Sequence, residues 1–321
     1  MIFDTFIRRP RLAMVISILV TLAGVIALTV IPVAQYPDIA PPTIQVTGSY
    51  VGADAVGVAI ALDLLGRSDS ALAVDVGTNA EVALVHRGRL YVCSAPAGPA
   101  FEGAQMACGT QARPGAITRI AIDEARQQLR VDTVDEKPPF GIAGTGIVDA
   151  VAELVRVGVL DASGFMRDTM HWPAWLRERA HAAGEMRAFV VARDAEGRPL
   201  YLHQGDVREL QLAKAATATA IHYVMHAAGI RAADLDHVYV AGAFGSYLDP
   251  VSVLRIGLLP DVPLERVEFV GNAALAGAVL ATLSRRHLEA AVWGARGAAR
   301  GFMATDESFQ EVFVDRLRLA H

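Results

Sequence analysis

The five residues Asp75-Val76-Gly77-Thr78-Asn79 place a carboxylate, a glycine and two small polar side chains in one short stretch. Apolar, β-prone runs flank them, at 71–74 and 81–85, so the pattern reads as strand, tight turn, strand. Gly77 permits close backbone approach. Thr78 and Asn79 add side-chain donors to exposed N–H groups, a nest that suits a phosphate. Asp75, at the strand end, is placed to hold a hydrated Mg²⁺ or orient a water, which makes it the candidate catalytic and metal residue. A hairpin turn with a solvated aspartate is the plainer reading of the same five residues.

Other glycine turns offer related chemistry. The strand candidate 237–241 runs into Gly242-Ala243-Phe244-Gly245, a form expected where backbone lies flat against a purine ring or where a strand turns a corner into a helix. A further strand, 267–270, enters Gly271-Asn272-Ala273-Ala274-Leu275-Ala276-Gly277, whose small residues let a helix pack tightly. Gly144 and Gly146 open a helix, where glycines can receive an anion on free N–H groups or permit close packing. No clear preceding parallel strand or later ribose-binding acid accompanies them, so a dinucleotide site is not read there. Glu102 lies in the glycine- and proline-punctuated loop 97–104, read as a tight crossover in preference to an active-site loop facing phosphates.

The elements that must hold these turns are legible in outline. A helical segment spans 56–65, and strand patterns recur at 89–93, 117–122, 128–134, 186–192 and 199–203. Asp206 reads as the N-cap of a long helix, with Glu209 three residues on, and Val207, Leu210, Thr217, Ile221, Val224 and Met225 on one side. Lys214 within it reads as solvated or snorkelling rather than as a phosphate contact. The polar loop 161–184 gathers His171, Trp172 and Trp175 into a local core. Amphipathic helices at 285–297 and 306–319 close the chain. Its 321 residues support a sizeable core, and a net charge of −5 excludes the basic footprint of a nucleic-acid binder. The two cysteines, Cys93 and Cys108, lack the spacing of a metal site or a disulfide framework.

Residues 12–31 carry no charge, the length needed to cross a bilayer as a helix. Arg8, Arg9 and Arg11 precede the run and no Lys or Arg follows before Arg67, which puts the N-terminus in the cytoplasm and the rest across the membrane. The run is longer than a signal-peptide core and lacks a small-residue cleavage site. The first 50 residues resemble the start of the inner-membrane subunit of resistance–nodulation–division efflux pumps. Phe6-Ile7-Arg8-Arg9-Pro10, Pro32-Val33-Ala34-Gln35-Tyr36-Pro37, Ile39-Ala40-Pro41-Pro42 and residues 46–50 carry the resemblance. It implies the family's first transmembrane helix and covers about a sixth of the chain. Nothing later resembles a porter domain, so a pump is not implied.

From about residue 51 onward the chain resembles the C-terminal part of the reductive activators of corrinoid proteins, in the superfamily of sugar kinases, actin and chaperone ATPases. The matching stretches are 50–55, 75–81, 93–109, 114–117, 144–149, 204–214, 240–250, 255–260 and 271–277. The resemblance implies an α/β fold: an actin-like lobe with mixed sheets and flanking helices, here preceded by one transmembrane helix. It implies ATP and Mg²⁺ as cofactors, with 75–79 the second phosphate loop, 242–245 the adenosine loop and 271–277 the helix connecting two lobes. It also implies a corrinoid protein as partner, reduced from Co(II) to Co(I) at the expense of ATP.

Two departures bear on activity. The family's [2Fe–2S] cluster needs four cysteines, which Cys93 and Cys108 cannot supply, and no first phosphate loop of the Asp-x-Gly-Thr-Thr type precedes Asp75. Weak Mg–ATP binding and little turnover are expected, with a non-catalytic docking module or an inert membrane-anchored fragment as the other readings. A homodimer is compatible with each. The stretch 49–55 fits both families, as a chimera of 1–50 and 51–321 would leave it. The anchor implies the inner membrane, whereas the resembling activators are cytoplasmic.

Overall fold

The strand Ala71–Val76 (β1) is apolar on both faces, the pattern of a strand covered on both sides. A computed structural model, which describes residues 52–242, 248–300 and 308–319, places it inside a six-stranded sheet. These residues belong to one compact unit spanning 45–321. The pump-like stretch 1–50 and the expected membrane helix at 12–31 lie outside the described residues. Among the described residues no helix is long and apolar enough to cross a membrane.

The sheet is mixed. Asn79–His86 (β2) and Arg89–Pro96 (β3) continue from β1 as antiparallel hairpins. His237–Ala241 (β11) and Val267–Gly271 (β12) lie parallel on the other side, giving the order β12-β11-β1-β2-β3-β13, with the short Ala299–Arg300 (β13) at the far edge. Alternation along the strands divides the core. Leu72, Val74, Val82 and Leu84 face one hydrophobic cluster, shared with Val207 and Leu210 of the long helix Gln204–Ala228 (α3). Ala71, Ala73, Ala83 and Val85 face a second cluster, shared with Val58 and Ala59 of Ala53–Ala61 (α1) and with Ala273 of Ala273–Leu283 (α5).

The helices α1 and α5 cross in backbone contact. A Cβ added to Gly57 would lie 2.6 Å from the Ala274 carbonyl oxygen, and one added to Gly277 would overlap the carbonyl oxygen of Gly57. No side chain fits at either position. The helix α1 is shorter than the expected 56–65, because the chain leaves it at Leu62 and makes a separate 3₁₀ turn at Leu64–Gly66.

Between β3 and α3 the chain builds two smaller sheets. Gly109–Thr110 (β4), Ala116–Asp123 (β5), Gln128–Thr133 (β6) and Gly141–Ala143 (β7) pair in the order β4-β7-β5-β6, backed by Gly144–Arg156 (α2). Ala180–Ala183 (β8), Met186–Arg193 (β9) and Pro199–His203 (β10) form an antiparallel meander. Of the three residues expected in a local core, Trp172 is buried, donates from Nε1 to the Arg167 carbonyl at 3.0 Å and lies 5.7 Å from the Phe189 ring, and Trp175 packs partly buried against the core, but His171 is exposed.

Two expectations for α3 are corrected. Its N-cap is His203, not Asp206. His203 Nδ1 accepts from the Asp206 backbone N–H at 3.0 Å, and Asp206 Oδ2 accepts from the His203 N–H at 2.9 Å, a capping box with the roles of cap and third residue shifted by three. Lys214 is neither solvated nor on a phosphate. It is buried and donates to the carbonyl oxygens of Arg316, at 2.6 Å, and Arg318. Those carbonyls close the last helix, Phe309–Arg316 (α7), and burial followed by the nearby Arg316 charge moves the Lys214 ammonium down to about 8. The helices Pro250–Arg255 (α4) and Arg285–Gly297 (α6) complete the described fold.

Candidate functional site

The ends of β1, β11 and β12 converge because the three strands run parallel. Asp75 pairs with Ala241 across β1 and β11, so Gly242 follows beside it; Ala241 pairs with Gly271 across β11 and β12. The Gly242 N–H donates to the Gly271 carbonyl at 2.9 Å. Ligands in open α/β sheets settle at the carboxyl ends of parallel strands where the strand order turns, and β1 is that point: its other neighbour, β2, is antiparallel.

A cleft of about 530 Å³ opens there, lined by Asp54, Asp75, Gly77, Glu102, Gly242 and Asn272, with Leu275 and Ala278 of α5 along one wall. Gly242 has φ +103°, and a Cβ on it would meet the Val76 carbonyl at 2.6 Å and Asp75 Oδ1 at 2.7 Å. Its missing side chain is what keeps the carboxylate accessible. Gly77 and Thr78 make the tight link from β1 to β2, closed by the Val76–Ala80 pair. The Thr78 carbonyl accepts from the Gly98 N–H at 2.9 Å, and its hydroxyl donates to Glu102 Oε1 at 2.6 Å. Glu102 therefore faces the turn, against the expectation of a plain crossover. Asn79 is exposed at the start of β2. Asn272 caps α5, its Oδ1 accepting from the Leu275 N–H at 2.9 Å.

Four of the expected residues, Asp75, Gly77, Gly242 and Asn272, thus line one cleft, and Thr78 reaches it through Glu102. Ala243 and Gly245 lie outside the described residues. Gly144 and Gly146 are not part of the cleft lining: both are buried at the start of α2, and a Cβ on Gly146 would lie 2.6 Å from the Ile117 carbonyl oxygen. The Gly146 position is closely packed, which agrees with the packing alternative for that glycine. Asp54 joins the cleft from the first turn of α1, a position that no local motif announces.

The electrostatics are those of a site short of positive charge. Burial pushes the Asp75 carboxyl up to about 6, and the neighbouring Asp54 charge adds to the shift. Glu81, one strand over, is also raised, first by burial and then by Asp54 and Asp75, although the Ser94 hydroxyl donates to its Oε1 at 2.8 Å and offsets part of this. Among the described residues no three His, Cys, Asp or Glu side chains group closely enough to hold a metal ion by themselves. The donor set fits Mg²⁺, which is commonly held by one or two carboxylates together with waters and substrate phosphates. Cys93 is buried, with its thiol pushed up to about 12 by burial, and Cys108 Sγ accepts from the Tyr201 N–H at 3.4 Å.

Comparison with known proteins follows the same division of the chain. Residues 2–61 match the AcrB/AcrD/AcrF family, and the first 50 are 54% identical to the multidrug export protein AcrF of Escherichia coli (strain K12), covering 16% of this chain and 5% of that protein. Over 274 residues the chain is 34% identical to the corrinoid activation enzyme RamQ of Eubacterium limosum, covering 83% of this chain and 45% of RamQ. A solved structure of a reductive activator for corrinoid, iron-sulfur protein superposes with a TM-score of 0.77 at 32% identity, over 85% of this chain and 43% of the other. The chain thus spans about half the length of these relatives, and its two ends match two different families, as a chimera does. The mixed α/β architecture agrees with the expected ASKHA fold, residues 69–321 match the family described as the C-terminal domain of RACo, the ASKHA domain, and to that family this chain belongs.

Proposed function

We propose that the cleft between Asp75 and Gly242 binds Mg–ATP and that this region is the nucleotide-binding part of a reductive activator of corrinoid proteins. The observation that supports the reading is the pairing of Asp75 with Ala241, which sets Asp75 and Gly77 near Gly242 at one strand end. Backbone N–H groups at Gly77 and Thr78, with the Asn79 side chain, would meet phosphate. Gly242 would let the nucleotide approach the backbone, with Ala243 and Gly245 completing that loop, and Asn272 would bound the site at the head of α5. Asp75 would act through Mg²⁺ or a water, since direct contact would set anion against anion. Bound Mg²⁺ neutralises charge on the phosphates. The names of the relatives, a corrinoid activation enzyme and a reductive activator, support a corrinoid protein as partner.

Binding is weak in this proposal. The 321 residues carry no loop of the Asp-x-Gly-Thr-Thr type before Asp75, and two or three phosphate contacts from such a loop, at roughly 1.5–3 kcal/mol each, would be worth about a hundredfold or more in affinity. Residues 12–31 are proposed as a membrane-spanning helix on their uncharged length alone. Calorimetric titration with ATP, with and without Mg²⁺, tests the site: weak Mg-dependent binding, lost in Asp75→Ala, is expected. Tight binding that ignores Asp75→Ala would place the nucleotide elsewhere.

A further inference from the structure

A second cavity, of about 340 Å³, lies at the C-terminal end of α3 and shares no lining residue with the Asp75 cleft. Its floor is apolar and buried: Ile221 and Met225 from one face of α3, and Leu258 from the turn that follows α4. Its polar groups are unbalanced in charge. Two guanidinium groups, Arg231 and Arg316, line it against a single lining carboxylate, Asp261, with the His222 and His226 rings beside them. The rings of His222 and His226, one turn apart on α3, are stacked with centroids 6.1 Å apart. Arg231 approaches an acid only loosely: its Nε is 3.9 Å from Asp234 Oδ2, and both side chains are exposed.

Arg316 supplies an independent observation. Its Nε is buried with no hydrogen-bond partner, although its backbone carbonyl is held by Lys214. A donor left without a partner costs free energy, so the Arg316 guanidinium is not spent on an internal hydrogen bond through Nε, and the side chain lines the cavity. A metal ion does not suit the place, because two guanidinium groups flank the histidines and no three ligating side chains group together among the described residues. Inorganic phosphate would satisfy the cations but leave the apolar floor uncovered.

We propose that this cavity binds a small carboxylate with an apolar body, its head among Arg316, Arg231 and His226 and its body on Ile221, Met225 and Leu258. The size lies at the lower end of the range for small-molecule pockets, and a carboxylate matches the fork of an arginine. Nothing in this assignment depends on nucleotide binding.

The probe is phenylacetate, with phenylacetamide as its uncharged counterpart, titrated calorimetrically into the full chain. Phenylacetate is expected to bind at least about tenfold more tightly than the amide, as a charge-assisted contact requires. Arg316→Met should bring the acid down to the level of the amide, with melting temperature showing that α7 stays docked. Should that variant fail to fold, Arg231→Gln and the acid–amide comparison on the unmodified chain decide. Saturating Mg–ATP should leave phenylacetate binding unchanged. Absence of binding at millimolar phenylacetate, equal binding of acid and amide, or competition with Mg–ATP would each overturn the proposal.

Discussion

Asp75 is held at a cost when no cation is present. Its carboxyl stands at about 6 against an ordinary 3.8, so the native state holds this proton more tightly than the unfolded chain. The contribution is therefore absent below pH 3.8, grows as pH rises to about 6, and is fully destabilising above that. A gap of this size corresponds to up to ~3 kcal/mol, and partial solvent access reduces it to about 1–2 kcal/mol. Asp75→Asn should raise the denaturation midpoint of the nucleotide-free protein at pH 7 and leave it nearly unchanged at pH 3.5, if the site is as described. Equal effects at both pH values would contradict the stated cause. Lys214 follows the opposite arrangement of charge: its native value of about 8 lies below the ordinary 10.5, so the unfolded state holds the proton more tightly between the two and stability rises with pH across that window. Replacing it by Met should flatten this rise in a pH series of denaturant melts.

At the scale of elements, the crossing of α1 and α5 is the contact least able to absorb a change. Gly57→Val would drive its side chain into the Ala274 backbone, and overpacking of this kind costs about 1–3 kcal/mol, more where backbone must move. A lowered urea midpoint is expected; an unchanged one would mean that the helices do not touch. These elements were legible to different degrees. The strand–turn–strand at Asp75 was plain because a continuous apolar run and a glycine are local signals. The displaced cap of α3 was not, because His203 performs with a ring nitrogen what a short hydroxyl or carboxylate usually performs. Lys214 departs from its sequence pattern for a different reason. A helix between a sheet and another helix is buried on more than its apolar side, so Thr217, Gln211 and Lys214 lie inside together. Asp54 and Glu102 reach the cleft through tertiary packing, which no periodicity encodes.

For the molecule as a whole, the end of the pump-family match overlaps a helix of the described fold. The pump-family match runs to residue 61, yet α1, at Ala53–Ala61, contributes Val58 and Ala59 to the core beside β1 and crosses α5 at Gly57. Structurally this helix belongs with the ASKHA sheet. The uncharged run at 12–31 predicts that the full chain sediments with membranes and that a version beginning at Val51 does not; a full chain in the soluble fraction without aggregation would end that reading. Periodicity and spacing alone do not bring Asp75 beside Gly242, 167 positions on (75 against 242); the family resemblance implies that the two turns face one cleft, and the parallel register of β1 with β11 is what sets Asp75 beside Gly242. The account therefore stands on where a nucleotide sits. Paramagnetic broadening by Mn–ATP in an amide NMR spectrum locates it directly. The account predicts loss of the signals of Gly77, Thr78, Gly242 and Asn272 with those of Gly144, Gly146 and Met225 retained. Broadening centred on α2 or on the far end of α3, with the Asp75 turn untouched, would contradict it.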